Sequence, residues 1–215
     1  MMKLYNLDHS PYATRVRMQI HTKNLDVGIE PSPVALGAPE FVARFPFGKI
    51  PILALDNGSH LADSWVIMEY LEDITDSVPL RPAGALARAE MQTLARCADT
   101  CLGPAAVFPL FSLVGAGAEA AGVEGALSAL DQELTRLERL LQALPDFATR
   151  ELHLGDIALV PHVDYLLLLA PIFGRENPLA AYPRISAWRD HVGKNVGVAR
   201  GATEMLTAAK AFFGG

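Results

Sequence analysis

Cysteine is scarce: the chain holds two, Cys97 and Cys101, among 215 residues. Two thiols are too few for a secreted disulfide scaffold. Their i, i+4 spacing puts them on one helix face, where they read as small core residues. A redox pair is disfavoured, because adjacent helical turns hold side chains poorly for a strain-free disulfide. Positive charge is also short. Eighteen Lys and Arg face 24 Asp and Glu, a net charge of −6, with no long basic run. Nucleic-acid binding needs a phosphate-neutralising patch, so no such partner is expected. The longest apolar stretch, Tyr165 to Phe173, is interrupted by Pro171 and falls far below the ~20 residues of a membrane helix. Met1 to His9 lacks the extended apolar segment of a signal peptide. The expectation is a cytoplasmic protein with no membrane partner. The six histidines show no short ligand spacing, so no metal is expected, and no Gly-rich phosphate loop occurs. His162, in an apolar segment, reads as a core histidine.

What is present is an ordinary globular composition, 51% hydrophobic and 20% charged, which excludes a disordered chain. The chain changes character near residue 80. Residues 1–76 mix short β-rich runs with helical ones, residues 77–82 form a linker-like stretch with Pro79 and Pro82, and residues 83–215 read as helix throughout. In the first part, strands are expected at Lys3 to Leu7, Val27 to Ile29, Ile50 to Leu55 and Ser59 to Ala62. The last two flank Asp56-Asn57-Gly58, a strong hairpin signal. Ala13 to Thr22 alternates apolar and polar residues as a strand would. Ser10 and Pro11 supply a helix start, so helix is the reading. Further helices are expected at Pro39 to Phe45 and from Asp63 or Ser64 to about Glu72. The order βαβαββα implies parallel strands in the opening βαβ and an antiparallel closing hairpin.

In the second part, a long or broken helix is expected from Ala83 to about Phe111, with kinks at Gly103-Pro104 and Pro109. A Gly/Ala loop follows over Gly115 to Gly122. Glu124 to Leu144 carries a leucine stripe at helical period. Asp156 to Leu169 reads as a buried helix, and Ile185 to Val192 and Gly201 to Phe213 complete five or six helices. The fold class is thus α/β plus all-α.

Five motifs in order carry a resemblance: Ser10-Pro11-Tyr12, Gly48-Lys49-Ile50-Pro51, Asp63-Ser64, Gly155-Asp156-Ile157-Ala158, and Tyr182-Pro183-Arg184-Ile185-Ser186-Ala187-Trp188. Together they resemble the cytosolic-type glutathione transferases over essentially the whole chain. The resemblance implies a thioredoxin-like, glutathione-binding first domain and a helical-bundle, substrate-binding second domain. It implies glutathione as cosubstrate and a small hydrophobic electrophile as the other reactant. Ser10 is the implied catalytic residue. Its hydroxyl, at a helix N-terminus, is placed to favour the thiolate of glutathione. Tyr5 is the competing hydroxyl, and its place inside the first strand favours a core role. Pro51 resembles the family's cis-proline, which leaves the main chain of Ile50 to pair with the cysteinyl part of glutathione. Asp63 and Ser64 match the pair that takes the γ-glutamyl ammonium and carboxylate.

The chain departs from the family pattern in two places. His153 stands where relatives often carry the Ser or Thr that caps the buried helix, which leaves either a weaker cap or Asp156 working through other amides. Leu36-Gly37-Ala38 lacks a polar side chain for the glycine carboxylate of glutathione, leaving Lys49 or Arg44 as substitutes. Tyr12, Phe108 and Phe111 are the expected substrate-pocket residues. A homodimer is implied, with Met91, Leu94 and Ala95 of the first long helix offering apolar contact. Serine at position 10 cannot form a mixed disulfide, so the resemblance points to conjugation, as in detoxification, or to thioether, ether or halide cleavage, as in aromatic catabolism. Thr14-Arg15-Val16-Arg17 resembles zeta-like bacterial members, so cis-trans isomerisation of maleylacetoacetate or maleylpyruvate type is the alternative. A non-catalytic stress or ligand-binding relative is the rival from another class.

Overall fold

Two residues start the first helix. Ser10, with extended φ/ψ, accepts a hydrogen bond on its hydroxyl from the Ala13 amide, and Pro11 occupies the first turn, where its missing N–H costs nothing. The structure is a computed structural model that describes residues 1–115 and 119–214. It divides into two compact units, Met1–Pro79 with Asn195–Ala209, and Leu80–Lys194 with Lys210–Gly215.

The first unit holds strands β1 (Lys3–Asn6), β2 (Gly28–Pro31), β3 (Ile52–Ala54) and β4 (His60–Ala62), with helices α1 (Pro11–Lys23), α2 (Pro39–Arg44) and α3 (Ser64–Asp73). The sheet order is β2-β1-β3-β4. β1 and β2 are parallel, whereas β3 pairs antiparallel with both β1 and β4. The expected βαβαββα order is therefore present. The hairpin turns at Gly58, whose φ of +86° lies in the left-handed region that glycine enters without strain.

The polar–apolar alternation along α1 has a structural reason. Arg15, Gln19 and Lys23 form one stripe that meets Ser64, Met68 and Glu72 of α3. Lys23 and Glu72 make an ion pair of 2.8 Å with both side chains almost fully buried. Arg17 and His21 face the other way, toward Glu204. Glu204 lies on α9 (Val196–Phe213), which packs so closely that a Cβ at Gly201 would crowd Met18 and one at Gly197 would overlap the Thr22 backbone. Asn195–Ala209, expected with the helical part, thus groups with the first unit.

The second unit contains α4 (Ala85–Cys97), a π-helical segment (Ala98–Val107), α5 (Phe108–Leu113), α6 (Ala120–Ala143), α7 (Leu154–Leu169) and α8 (Pro183–Val192). Where a kink is expected at Gly103-Pro104, the chain takes a wider helical register and stays helical. Pro104 has no N–H to donate, and the Phe108 amide bonds the Gly103 carbonyl five residues back. The loop expected over 115–122 falls in part on residues 116–118, which lie outside the described residues; from Ala120 onward the chain is already α6. Met91, Leu94 and Ala95 are buried within the chain, at most 1% exposed, and offer no surface to a partner. Pro171 does not cut the apolar run short either. A short 3₁₀ segment (Ala170–Phe173) continues α7, and Leu154–Phe173 is long and apolar enough to cross a membrane by length and composition. Most of that span is buried inside the protein.

The centre of this unit is the Asp156 carboxylate at the start of α7. It receives both guanidinium N–H groups of Arg150 (2.6 and 2.8 Å), the Trp188 indole N–H (2.8 Å) and the His153 amide (3.2 Å). Burial alone would raise its pKa; the Arg150 hydrogen bonds, the electrostatic pull of His153 and Arg150 and the Trp188 N–H together outweigh this and hold it below the usual carboxylate value. Of the two alternatives for this cap, the weaker one is not what forms. His153 Nδ1 accepts from the Asp156 amide at 3.2 Å, completing a reciprocal capping box with imidazole in place of hydroxyl. Gly155 beside it is required by packing, because a Cβ there would overlap the Met91 carbonyl of α4.

A capping imidazole must be neutral to accept. Burial lowers the His153 pKa, with Asp156 opposing and Arg150 assisting. The folded state then binds fewer protons than the unfolded one just below pH ~6.5, so this contribution is complete above that value and lost as pH falls through it. Chemical denaturation from pH 7.5 to 5 should show wild type losing stability more steeply than His153→Ser, which keeps an acceptor that does not titrate. Parallel slopes would contradict the assignment.

Candidate functional site

The N-terminus of α1 carries the first candidate group. Ser10 is half-buried, and its oxygen accepts from the Ala13 amide at 3.3 Å. A hydroxyl has one proton to donate besides its acceptor lone pairs, so capping leaves the O–H bond available. The helix dipole at this end favours an anion. Neighbouring His9 is held below the usual histidine value by burial, with Asp8 opposing, and is therefore neutral at pH 7.

Tyr5 occupies a different environment. It is 7% exposed in an apolar cluster with Phe41, Phe45 and Ile52, its ring 5.8 Å from that of Phe45. The Ile50 side chain packs against the same cluster. The Ile50–Pro51 peptide bond is cis, and Ile50 lies outside the β3 ladder, which begins at Ile52. Lys49 is exposed, with Nζ 6.0 Å from the Phe47 ring centroid. Arg44 is also exposed and lies over the Phe45 ring.

The N-terminus of α3 carries the second group. Asp63 has φ +71°, unusual for a residue other than glycine, and its Oδ1 accepts from the Trp65 and Val66 amides at 2.8 and 3.2 Å. Its second carboxylate oxygen takes no part in the cap. Ser64 is 3% exposed, and its Oγ accepts from Arg15 Nε at 2.9 Å and Nη2 at 2.5 Å. The Arg15 guanidinium lies 5.0 Å from the centre of the Tyr12 ring. Arg15 thereby connects the helix started by Ser10 with the helix started by Asp63. The sequence reading used Arg15 only as part of a motif. Its two-residue spacing from Arg17 held no sign that one would face α3 and the other α9.

In the second unit, Phe108 is exposed, whereas Phe111 packs in an aromatic cluster with Tyr165, Phe212 and Phe213. A shallow cleft of about 460 Å³ lies along α6, lined by Val123, Leu127, Asp131 and Arg175 among others. None of the candidate catalytic, glutathione-binding or pocket residues named from the sequence lines it. Cys97 is buried, and its thiol is pushed up to about 12 by burial and then by neighbouring Cys101 and Glu133. Cys101 is half-buried and accepts an N–H from Arg136 at 3.3 Å. Among the described residues, no group of three or more His, Cys, Asp or Glu gathers as a metal site.

Comparison with known proteins identifies the family. The N-terminal domain model of glutathione S-transferases matches residues 9–74, and the C-terminal domain model matches residues 120–191. Glutathione S-transferase 3 of Zea mays is 32% identical over 199 residues, covering 87% of this chain and 86% of its own. The crystal structure of a glutathione S-transferase from Methylobacillus flagellatus KT with glutathione bound superimposes with a TM-score of 0.76 at 27% identity, over 94% of this chain and 98% of that one. A maleylacetoacetate isomerase from Methylobacterium extorquens AM1, crystallised with malonate and glutathione, gives a TM-score of 0.76 at 26% identity, over 94% and 97% of the two chains. With both its domain models matched, and with a relative of this identity spanning most of both chains, the chain belongs to the glutathione S-transferase family.

Proposed function

We propose that the protein is a glutathione-dependent transferase in which Ser10 holds the glutathione thiolate for attack on an electrophilic carbon of a small hydrophobic substrate. The observation that carries this reading is the Ser10 hydroxyl. It caps α1 through an acceptor lone pair, which keeps its proton for a sulfur anion at the positive end of the helix. The rest of the first unit fits the tripeptide. Asp63, with one carboxylate oxygen outside its cap, takes the γ-glutamyl ammonium. Ser64, at the positive end of α3, takes the carboxylate. The main chain at Ile50, before Pro51, pairs with the cysteinyl unit, and exposed Lys49 beside it serves the glycine carboxylate. In this reading residues 1–76 bind glutathione, 77–82 link, and 83–215 supply most of the substrate pocket, with Tyr12, Phe108 and Phe111 as its aromatic contacts.

The second reading is glutathione-dependent cis-trans isomerisation, the thiolate adding to and leaving a double bond. The isomerase among the structural relatives and the segment Thr14-Arg15-Val16-Arg17 favour it. A cytoplasmic homodimer completes the proposal. Sedimentation should give about twice 23.1 kDa at micromolar concentration; a 23.1 kDa species would remove the dimer from it.

The thiolate role is tested by ultraviolet absorbance of the glutathione complex against pH. Losing a hydrogen bond to a charged group costs about 1.5–3 kcal/mol, so Ser10→Ala should raise the bound thiol pKa by roughly one to two units. Turnover at neutral pH should fall about ten- to a hundredfold and recover in part at high pH. Ser10→Gly controls for the cap, since glycine at an N-cap costs only a few tenths of a kcal/mol, and it should show the same shift. Tyr5→Phe should leave the titration unmoved, because its ring is committed to the Phe41–Phe45 cluster. If Tyr5→Phe moves the curve and the Ser10 variants do not, the roles are reversed.

A further inference from the structure

Ser64 is held in an unusual way. Arg15 Nε and Nη2 both donate to its Oγ, and both residues are buried, at 1% and 3% exposure. A serine oxygen has two acceptor lone pairs and one O–H. The guanidinium fork places two N–H groups on the two lone pairs, so the O–H bond is the one hydrogen-bonding function the oxygen has left. Left to itself, a serine hydroxyl rotates and serves donors and acceptors alike. With its lone pairs taken, this one serves acceptors alone. Arg15 is fixed in turn by the Tyr12 ring, 5.0 Å from its Cζ, and by its position on α1.

We propose that Arg15 is a positioning residue that turns Ser64 into a dedicated donor and so makes the α3 N-terminus select a carboxylate. This rests on the reading that glutathione binds here by its γ-glutamyl end and adds the origin of the specificity. Asp63 and Ser64 then divide the amino-acid group between them: a carboxylate for the ammonium and a forced donor for the α-carboxylate. Lysine could not do the same work. Its ammonium is a point charge on a flexible stem, without a planar fork to hold two N–H groups on one oxygen.

Two consequences separate this from a purely structural arginine. The effect must pass through Ser64, and it must touch binding of the γ-glutamyl end rather than the chemistry at sulfur. The experiment compares glutathione with its descarboxy analogue, 4-aminobutyryl-cysteinylglycine. The proteins are wild type, Ser64→Ala, Arg15→Lys, Arg15→Gln and the double variant Arg15→Lys/Ser64→Ala, with thermal midpoints recorded for each. Wild type should prefer glutathione, and that preference should shrink about tenfold or more in Ser64→Ala and comparably in the Arg15 variants. The double variant should lose no more than either single change. KM for glutathione should rise while kcat stays within about twofold, because Ser64 does not touch the sulfur. A folded Arg15 variant with the wild-type preference, or additive losses in the double variant, overturns the proposal. If the Arg15 variants fail to fold, the wild-type complex decides: Ser64 Oγ must lie within hydrogen-bond distance of the γ-glutamyl carboxylate while Arg15 remains on Oγ. Arg15 swung onto the ligand itself, or the ligand ammonium against Oγ, overturns it equally. Wild type binding glutathione with none of these effects refutes the role of Arg15 alone; wild type binding no glutathione refutes the underlying reading as well.

Discussion

The first unit depends on the buried polar stripe between α1 and α3. Arg15 on Ser64, Gln19 on the Met68 carbonyl and Lys23 on Glu72 repeat every four residues on both helices. Matching i, i+4, i+8 rows let two helices engage along their length. Buried charges are costly to leave alone, and breaking a buried pair from one side costs about 3–5 kcal/mol. These polar pairs therefore fix the register between the helices together with their apolar packing. In the proposed reading the consequence is functional, because the two helix N-termini that carry Ser10 and Asp63-Ser64 belong to those same helices. A slip of one turn, about 5.4 Å, would separate the proposed thiol site from the proposed γ-glutamyl site.

Asp156 plays the matching part in the second unit, with a different economy. One carboxylate gathers the Arg150 fork, the Trp188 indole and the His153 amide. Glu138 of α6 does likewise for α8, receiving the Arg184 and Ile185 amides at 2.9 and 3.0 Å. A carboxylate at a helix N-terminus satisfies orphan amides and complements the dipole at once. The tyrosine-proline-tryptophan motif is thus a set of anchoring points. The Tyr182 hydroxyl donates to the Asp131 carbonyl, Pro183 begins α8, and Trp188 reaches Asp156.

Much of this was legible in the sequence because it rests on local rules. Ser10-Pro11 starts a helix, Asn57-Gly58 turns a hairpin, and the leucine stripe of α6 marks its buried face. Illegible were the features made by partners distant in the chain. The alternation in α1 resembled a strand because two polar stripes on one helix, facing α3 and α9, read as period two over a short window. Met91, Leu94 and Ala95 looked available because a buried stripe and an interface stripe share one pattern. His153 left the strength of the cap open because imidazole rarely stands there, although its Nδ1 is as able an acceptor as a hydroxyl. In the candidate site, Ser10, Pro51, Asp63 and Ser64 were named from motif alone. Arg15, which ties two of those positions together, depended on a contact across 49 residues.

The placement of the thiols constrains the chemistry further. The only two cysteines, Cys97 and Cys101, lie on α4 and the π-helical segment of the second unit. Burial keeps Cys97 protonated at neutral pH, with its pKa pushed up to about 12. At the start of α1, where the dipole would favour a thiolate, the chain carries a hydroxyl instead. A serine there can donate a hydrogen bond to sulfur but cannot exchange with a disulfide. In the proposed reading, the nucleophilic sulfur therefore arrives with glutathione and leaves with the product or is returned unchanged. That accommodates both conjugation and isomerisation while disfavouring thiol exchange at this position. Choosing between the two then falls to the groups around the electrophile rather than to the thiol site.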